Sequence, residues 1–192
     1  NCFEPKFDST TATAPDYLSA MDFDGDGKPD IAVSHKVIGN LTPGSISILR
    51  NISANNRRIS LAPGISYTTG STTSCVTAGD LDGDGKPELV SCSISDNTVS
   101  VFKNTSVPGT ISFAARQDID IVTSTSYVHI ADIDGDGKPD IIFGRSSLGT
   151  ISILRNTSSG GNISFAGIAD IGSSTGADIV ETADFDRDGL TD

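Results

Sequence analysis

A nine-residue acidic pattern occurs four times in the 192-residue chain and constrains its fold more than any other feature. It reads DFDGDGKPD at 22–30, DLDGDGKPE at 80–88, DIDGDGKPD at 132–140 and DFDRDGLTD at 184–192. Successive copies begin 58, 52 and 52 residues apart. A nearly constant period of this length indicates a repeat protein built from one recurring supersecondary unit.

Four strand-like segments accompany each acidic loop. In the first unit they lie at 17–21, 31–33, 45–49 and 59–62, and later units carry them at 75–79, 89–91, 98–102 and 111–114, then at 127–131, 141–143, 150–154 and 163–166. Alternating apolar and polar residues, rich in β-branched types and bounded by Gly, Asn and Pro, predict strands and no helix. Consecutive apolar residues predict burial of the second strand on both faces, whereas the alternating third strand is expected nearer the outside.

Repeating four-stranded units predict an all-β fold of β-propeller blades, each a four-stranded antiparallel sheet packed on the next. We expect a single propeller segment over 1–192 with about three complete blades and two partial ones. The predicted units are 1–16 (partial), 17–74, 75–126, 127–178 and 179–192 (partial). A closed propeller needs roughly four to eight blades, so we expect a fragment of a longer array. Closure by pairing with a second copy is the alternative.

The acidic loops have the composition of a calcium site. Carboxylates occupy positions 1, 3, 5 and 9, glycines at positions 4 and 6 permit tight turns, and position 7 offers a backbone carbonyl. Oxygen ligands at this density suit Ca²⁺ better than Mg²⁺ or Zn²⁺. An EF-hand is excluded because position 12 is Val33, Ser91 or Phe143 where an EF-hand requires Glu.

This pattern predicts three Ca²⁺ sites and a fourth, truncated one. The predicted ligands are, in chain order, Asp22, Asp24, Asp26, the carbonyl of Lys28 and Asp30; Asp80, Asp82, Asp84, the carbonyl of Lys86 and Glu88; Asp132, Asp134, Asp136, the carbonyl of Lys138 and Asp140; and Asp184, Asp186, Asp188, the carbonyl of Leu190 and Asp192. The alternative without a metal is a set of acidic hairpin turns. However, four converging carboxylates without a cation repel one another.

The acidic composition is mostly local to the loops. The formal net charge is −12, and sixteen of the 25 acidic residues lie within the four patterns. Because bound divalent ions would neutralise much of this charge, nucleic acid is not expected as a partner. No apolar run approaches the roughly 20 residues that cross a bilayer, so no membrane insertion is expected in this segment.

Two smaller sequence features leave alternatives open. Cys75 and Cys92 flank the second loop and face one another if the segment is a hairpin in register, so a disulfide bond and a pair of half-buried thiols both stay open. A basic residue and an Asn follow the third strand in each unit, and Asn51, Asn104 and Asn156 there lie in Asn-x-Ser/Thr sequons. Turn geometry accounts for these asparagines better than glycosylation.

The loop and its flanking strands resemble the FG-GAP/VCBS-type repeats of integrin-α-like propellers, whose calcium loops read D-x-[DN]-x-[DN]-G-x-x-D. The resemblance covers essentially the whole chain. It implies that the loop joins the first two strands of a blade, that the array belongs to a seven-bladed propeller, and that the protein is secreted or attached to a cell surface. The Phe-Gly-Gly-Ala-Pro signature is absent, so integrin ligands are not carried over.

No catalytic constellation is recognisable in the sequence. No nucleophile elbow occurs, and paired carboxylates occur only inside the loops. We expect a non-catalytic, calcium-binding adhesion module for protein or carbohydrate ligands. Its contacts would come from the connections opposite the ion loops, at 34–44, 63–74, 115–126 and 167–178. The alternative is a structural scaffold attached to a secreted enzyme whose catalytic residues lie outside this chain.

Overall fold

A computed structural model of the chain describes residues 8–12, 14–36, 43–54, 58–145, 147–172, 179–189 and 191. Within these ranges the protein is all-β and contains no helix, so none of them offers a helix able to cross a membrane. Twelve strands form three sheets: β1 (Pro15–Met21), β2 (Asp30–His35), β3 (Ser45–Leu49) and β4 (Ile65–Thr68); β5 (Thr73–Gly79), β6 (Glu88–Ser93), β7 (Thr98–Phe102) and β8 (Gln117–Asp120); β9 (Val128–Ala131), β10 (Asp140–Arg145), β11 (Thr150–Asn156) and β12 (Phe165–Gly172).

Each sheet is an antiparallel meander in which chain order equals spatial order. The predicted all-β class of four-stranded antiparallel blades is confirmed. Each of the first three acidic loops joins the first and second strands of its sheet. The loops therefore emerge at one end of equivalent hairpins, which places them at equivalent positions in the three blades.

The first strands of consecutive blades converge. Strand β1 contacts β5, and β5 contacts β9. The rings of Tyr17 on β1 and Tyr127, which precedes β9, lie with their centroids 5.6 Å apart, and both pack against the cluster that contains Cys75, the equivalent residue of the second blade. This convergence of inner strands is what propeller-like blades require.

The hydrophobic core lies between blades rather than inside a single sheet. One cluster joins the first two blades and includes Phe23 and Phe113, whose rings meet edge to face with centroids 5.6 Å apart. A second cluster joins the second and third blades and includes Leu81 and Phe143. Apolar burial is the main favourable term in folding, so each blade depends on its neighbour for much of its stability.

Burial of the second strands follows the prediction, but burial of the third strands does not. Every residue of β6 and β10 is buried. The third strands β3 and β7 are almost entirely buried, whereas β11 has several partly exposed residues and is less buried than β10. The alternating serines, Ser47, Ser100 and Ser152, are buried in all three. The expectation that the third strand lies nearer the outside is therefore wrong for the first two blades. Each serine hydroxyl has a partner, respectively His35, Asp118 and Asp170, and a hydrogen-bonded hydroxyl is tolerated in an interior.

The fourth strand lies further along the chain than predicted. In the first two blades, segments 59–62 and 111–114 contribute only the isolated bridges Asn51↔Leu61 and Asn104↔Phe113. The fourth strands are β4, β8 and β12. Each of them occupies part of one of the connections predicted to bind a ligand, at 63–74, 115–126 and 167–178. All three edge strands are mostly exposed, and β4 and β8 have only four residues each. Polar edge strands carry a weak hydrophobic pattern.

Several predictions fall on parts of the chain with no described structure. The predicted partial unit 1–16 is described only at 8–12 and 14–16. Most of the 34–44 connection and the end of the 167–178 connection lie outside the described residues. Residues 179–183 are described but form no strand. They are tied to the third blade by hydrogen bonds from Tyr127 Oη to Glu181 at 2.7 Å and between His129 and Thr182 at 3.0 Å.

The two flanking cysteines face each other in the second blade. Cys75 and Cys92 are register partners on β5 and β6, and both are buried. They are free thiols in this structure. Burial raises the pKa of the Cys75 thiol, which keeps it protonated and poorly nucleophilic.

Candidate metal centre

The first Asp of each loop organises the backbone of the turn. Asp22 Oδ1 accepts a hydrogen bond from the N–H of Gly25 at 2.8 Å, and Asp22 Oδ2 accepts one from Gly27 at 2.7 Å. The same two bonds recur at Asp80, Asp132 and Asp184. The four loops therefore share the two bonds that fix positions 4 and 6 of the turn.

Positions 3 and 5 continue the winding through short Asx turns. In the first loop Asp24 Oδ1 accepts from the N–H of Asp26 at 3.2 Å, and Asp26 Oδ1 accepts from Lys28 at 3.0 Å. The N–H of Lys86 and of Lys138 donates in the same way, at 2.9 and 3.0 Å. These bonds orient the peptides at position 7, whose carbonyls are the predicted backbone ligands.

Backbone conformation explains the glycines at position 4. Gly25, Gly83 and Gly135 have φ angles of 72°, 76° and 71°, in the left-handed region where glycine carries no steric penalty. In the fourth loop Arg187 holds the same conformation at φ 67°. A non-glycine residue there costs roughly 1–2 kcal/mol, so the fourth loop is the strained member of the set.

Replacing Arg187 with Gly is expected to stabilise the fourth loop by about 1 kcal/mol, because the left-handed penalty disappears. Amide hydrogen exchange at Gly189, whose N–H donates to Asp184 at 3.0 Å, should slow by several fold. Gly135→Arg is the matched reverse change and should speed exchange at Gly137. Unchanged exchange at Gly189 in R187G would contradict the assigned strain.

The structure brings three carboxylates together in every loop. Within each group one oxygen per side chain lies within 4.8 Å of the others. The groups are Asp22, Asp24 and Asp26; Asp80, Asp82 and Glu88; Asp132, Asp134 and Asp136; Asp184, Asp186 and Asp188. Asp30, Asp84 and Asp140 lie outside these groups, and the predicted ligands Leu190 and Asp192 lie outside the described residues.

The carboxylate at position 9 is a buried structural bridge. Asp30 accepts a hydrogen bond from Phe23 N–H at 3.0 Å and another from Asn51 N–H at 2.7 Å. Glu88 and Asp140 accept the same pair of bonds in their own blades. This carboxylate thus ties the start of the loop to the end of the third strand, and its oxygens retain lone pairs for a cation.

Burial also changes the acidity of the position-9 group. It raises the pKa of Asp30, and it raises the pKa of Glu88 to about 7, with the nearby Asp82 and Asp84 charges adding to the effect. Glu is one methylene longer than Asp, and of the three position-9 residues that the structure describes, Glu88 alone has an oxygen in its loop's carboxylate group. The second loop is therefore chemically distinct from the first and third.

One basic residue per blade reaches into the loop, a contact that the sequence analysis missed. Arg50 donates to Asp24 and, at 2.6 Å, to Asp26, and Lys103 donates to Asp82 at 2.6 Å. Arg155 donates to Asp134 and, at 2.9 Å, to Asp136. The signal was present, since a basic residue follows the third strand in all three units.

These cations shift the acidity of the position-3 carboxylates. Burial opposes ionisation of Asp24, but hydrogen bonds from Arg50 and from the Gly109 N–H hold its pKa below the usual value. The hydrogen bond from Arg155 lowers the pKa of Asp134. Both groups are therefore carboxylates at neutral pH, which is the form that binds a metal.

The asparagines after the third strands serve the turn. Asn51, Asn104 and Asn156 accept, through Oδ1, the N–H two residues further on, at 3.0, 2.8 and 2.8 Å. Asn104 and Asn156 are each only 1% exposed, so the folded protein cannot present them to a glycosylating enzyme. The interpretation of these sequons as turn geometry agrees with the structure.

Comparison with known proteins identifies the repeat. The sequence model of the family described as FG-GAP-like repeat matches three overlapping stretches of the chain, 22–91, 84–143 and 132–192. Each match begins at or within an acidic loop and runs to the second strand of the following blade or to the next loop. No curated protein matches the chain.

Proposed function

The chain belongs to the FG-GAP-like repeat family, and we propose that it is a non-catalytic, calcium-binding repeat module of a secreted or cell-surface protein. Each blade holds its ion in the loop between its first two strands. The blades in turn present a binding surface for a protein or carbohydrate ligand. The proposal carries forward the function expected from the sequence.

The observation that carries the proposal is the convergence of three carboxylates in each loop. Like charges within 4.8 Å repel one another. Arg50, Lys103 and Arg155 each add one positive charge, and the lysine at position 7 adds another, as Lys28 does 3.8 Å from Asp26. These two charges are fewer than the four carboxylates of each loop. Asp22 and Asp132 receive no hydrogen bond from these basic residues; their oxygens are held by loop N–H groups. A divalent cation is the ligand that this residual negative charge favours.

Oxygen-only donors on a flexible loop favour Ca²⁺ over the smaller, strongly hydrated Mg²⁺. Sites with dissociation constants near 10⁻⁴–10⁻³ M stay occupied at extracellular calcium levels. This supports a location outside the cell. The ligand-binding surface is assigned to the connections at the opposite end of the blades from the ion loops, of which 69–72 and 121–127 are described.

Calorimetric titration of the calcium-stripped protein with Ca²⁺ tests the proposal. We expect at least three sites, and one fewer in Asp134→Ala, whose hydrogen bonds to the described residues stay within its own blade. Asp24→Ala should also remove one site, but with a larger loss of stability because Asp24 is buried against the second blade. Absence of binding, or equal affinity for Mg²⁺, would rule out a calcium module.

A further inference from the structure

Each of the first two acidic loops is contacted by the following blade. Between β7 and β8 of the second blade, the N–H of Gly109 donates to Asp24 Oδ2 in the first loop at 3.0 Å. Between β11 and β12 of the third blade, the carbonyl of Gly161 accepts a hydrogen bond from Lys103 Nζ, which also binds Asp82 in the second loop. The loops therefore lie at the joints between blades.

Asn104 makes the most specific of these contacts. Its Nδ2 donates one hydrogen bond to the carbonyl of Phe23 in the first loop at 3.0 Å and another to the carbonyl of Pro87 in the second loop at 2.9 Å. Both neighbours are carbonyl oxygens, which only accept, so the two donors of an amide are required. The side chain is buried and uses every polar atom.

The two carbonyls that Asn104 holds are adjacent to the candidate ligands. Phe23 immediately precedes Asp24 at position 3 of the first loop, and Pro87 immediately precedes Glu88 at position 9 of the second. Because the peptide group is planar, a fixed carbonyl also fixes the N–H and the Cα position of the next residue. Asn104 thus orients one carboxylate in each of two consecutive loops.

Asn156 repeats the arrangement at the next joint. Its Nδ2 donates to the carbonyl of Leu81 in the second loop at 2.8 Å and to the carbonyl of Pro139 in the third loop at 2.8 Å. Asn51, at the equivalent position of the first blade, donates to the carbonyl of Pro29 in its own loop at 2.9 Å. Among the described residues, Asn51 therefore holds a carbonyl of one loop, whereas Asn104 and Asn156 each hold carbonyls of two loops.

We propose that the first two acidic loops are two-blade ion sites, in which Asn104 and Asn156 are positioning residues supplied by the blade that follows. The inference rests on the proposed calcium binding. An ion bound in the first loop fixes the carbonyl of Phe23, and this carbonyl favours one orientation of the Asn104 side chain. In the same orientation Asn104 also holds the carbonyl of Pro87 in the second loop. Ion binding at neighbouring loops is then positively coupled, and reciprocally so.

Calcium titrations followed by NMR test this site by site. The amide resonances of Gly27, Gly85 and Gly137 report the first three loops separately, because each N–H donates to the position-1 carboxylate of its own loop. The probe is Ca²⁺ itself, added to the whole calcium-stripped chain. The midpoint of each resonance shift measures the affinity of that loop.

Asn104→Ala is expected to raise the midpoint at both Gly27 and Gly85 by about three- to tenfold, the loss typical of a buried hydrogen bond, and to leave Gly137 unchanged. Asn156→Ala should raise the midpoints at Gly85 and Gly137 and leave Gly27 unchanged. Asn51→Ala is the matched control and should affect Gly27 only. The defining result is the response of the first loop to a substitution in the second blade.

An unchanged Gly27 midpoint in N104A would overturn the proposal, because the asparagine would then serve its own loop alone. Should N104A fail to fold, as judged by amide dispersion in the same spectra, N156A decides the question through Gly85, and an unchanged Gly85 midpoint overturns it equally. Failure of the underlying calcium binding looks different. None of the three glycine resonances would then respond to Ca²⁺ in the unsubstituted protein.

Discussion

Removal of calcium with EDTA is expected to lower the midpoint of thermal unfolding by about 8–16 °C. An ion that binds only the folded state at tenfold excess over its dissociation constant adds about 1.4 kcal/mol per site. Three occupied loops add about 4 kcal/mol, and for a chain of this size each kcal/mol is worth roughly 2–4 °C. Scanning calorimetry in millimolar CaCl₂ and in EDTA measures the difference.

The matched control for chelation is a variant in which the ions have no site but the fold is retained. Asp22, Asp80 and Asp132, each replaced by Asn, keep one oxygen for the N–H at position 4 and lose the acceptor of the N–H at position 6. The variant is therefore less stable in both buffers, and each loop has one negative charge fewer. This triple variant should show the same unfolding midpoint in calcium and in EDTA. An equal midpoint for the unsubstituted protein in both buffers would exclude a structural role for calcium.

Replacing Asp140 with Ala is expected to destabilise the protein by about 2–5 kcal/mol whether or not calcium is present. Asp140 is 1% exposed and accepts hydrogen bonds from the N–H of Ile133 at 3.1 Å and of Asn156 at 2.8 Å. Its removal leaves two donors in the interior without an acceptor, at about 1–3 kcal/mol each. Urea unfolding in calcium and in EDTA measures the loss.

Asp136→Ala, in the same loop, is the comparison for Asp140→Ala. Asp136 is more exposed, and its partners are the N–H of Lys138 and the surface residue Arg155, so its replacement should have little effect in EDTA and a clear effect in calcium. The pair separates a carboxylate that holds the fold from one that holds the ion. Wild-type stability of D140A in EDTA would show that position 9 is no structural bridge.

The loops and three strands of each blade could be predicted from sequence because their signals are local. The first three strands recur at the expected positions since apolar and β-branched residues alternate there and turn residues bound them. The fourth strand was misplaced because its polar residues, as in Gln117–Asp120, satisfy an exposed edge where hydrophobic pattern is weak. The burial of the serines in the third strands was not predicted for a related reason. The apolar–polar alternation of a sequence shows which residues are polar but not which of them find hydrogen-bond partners in the interior.

The sequence by itself determined the repeat, the all-β class and the position of the acidic loop between two strands, because these depend on residues close together in the chain. Which three of the four predicted carboxylates converge was decided by the structure. Only the tertiary structure showed that Arg50, Lys103 and Arg155 reach the carboxylates and that Asn104 and Asn156 join one loop to the next. Those contacts link residues from 17 to 81 positions apart. The partners of the two asparagines are backbone carbonyls, which carry no residue-specific signal, so packing of one blade on another had to bring them together.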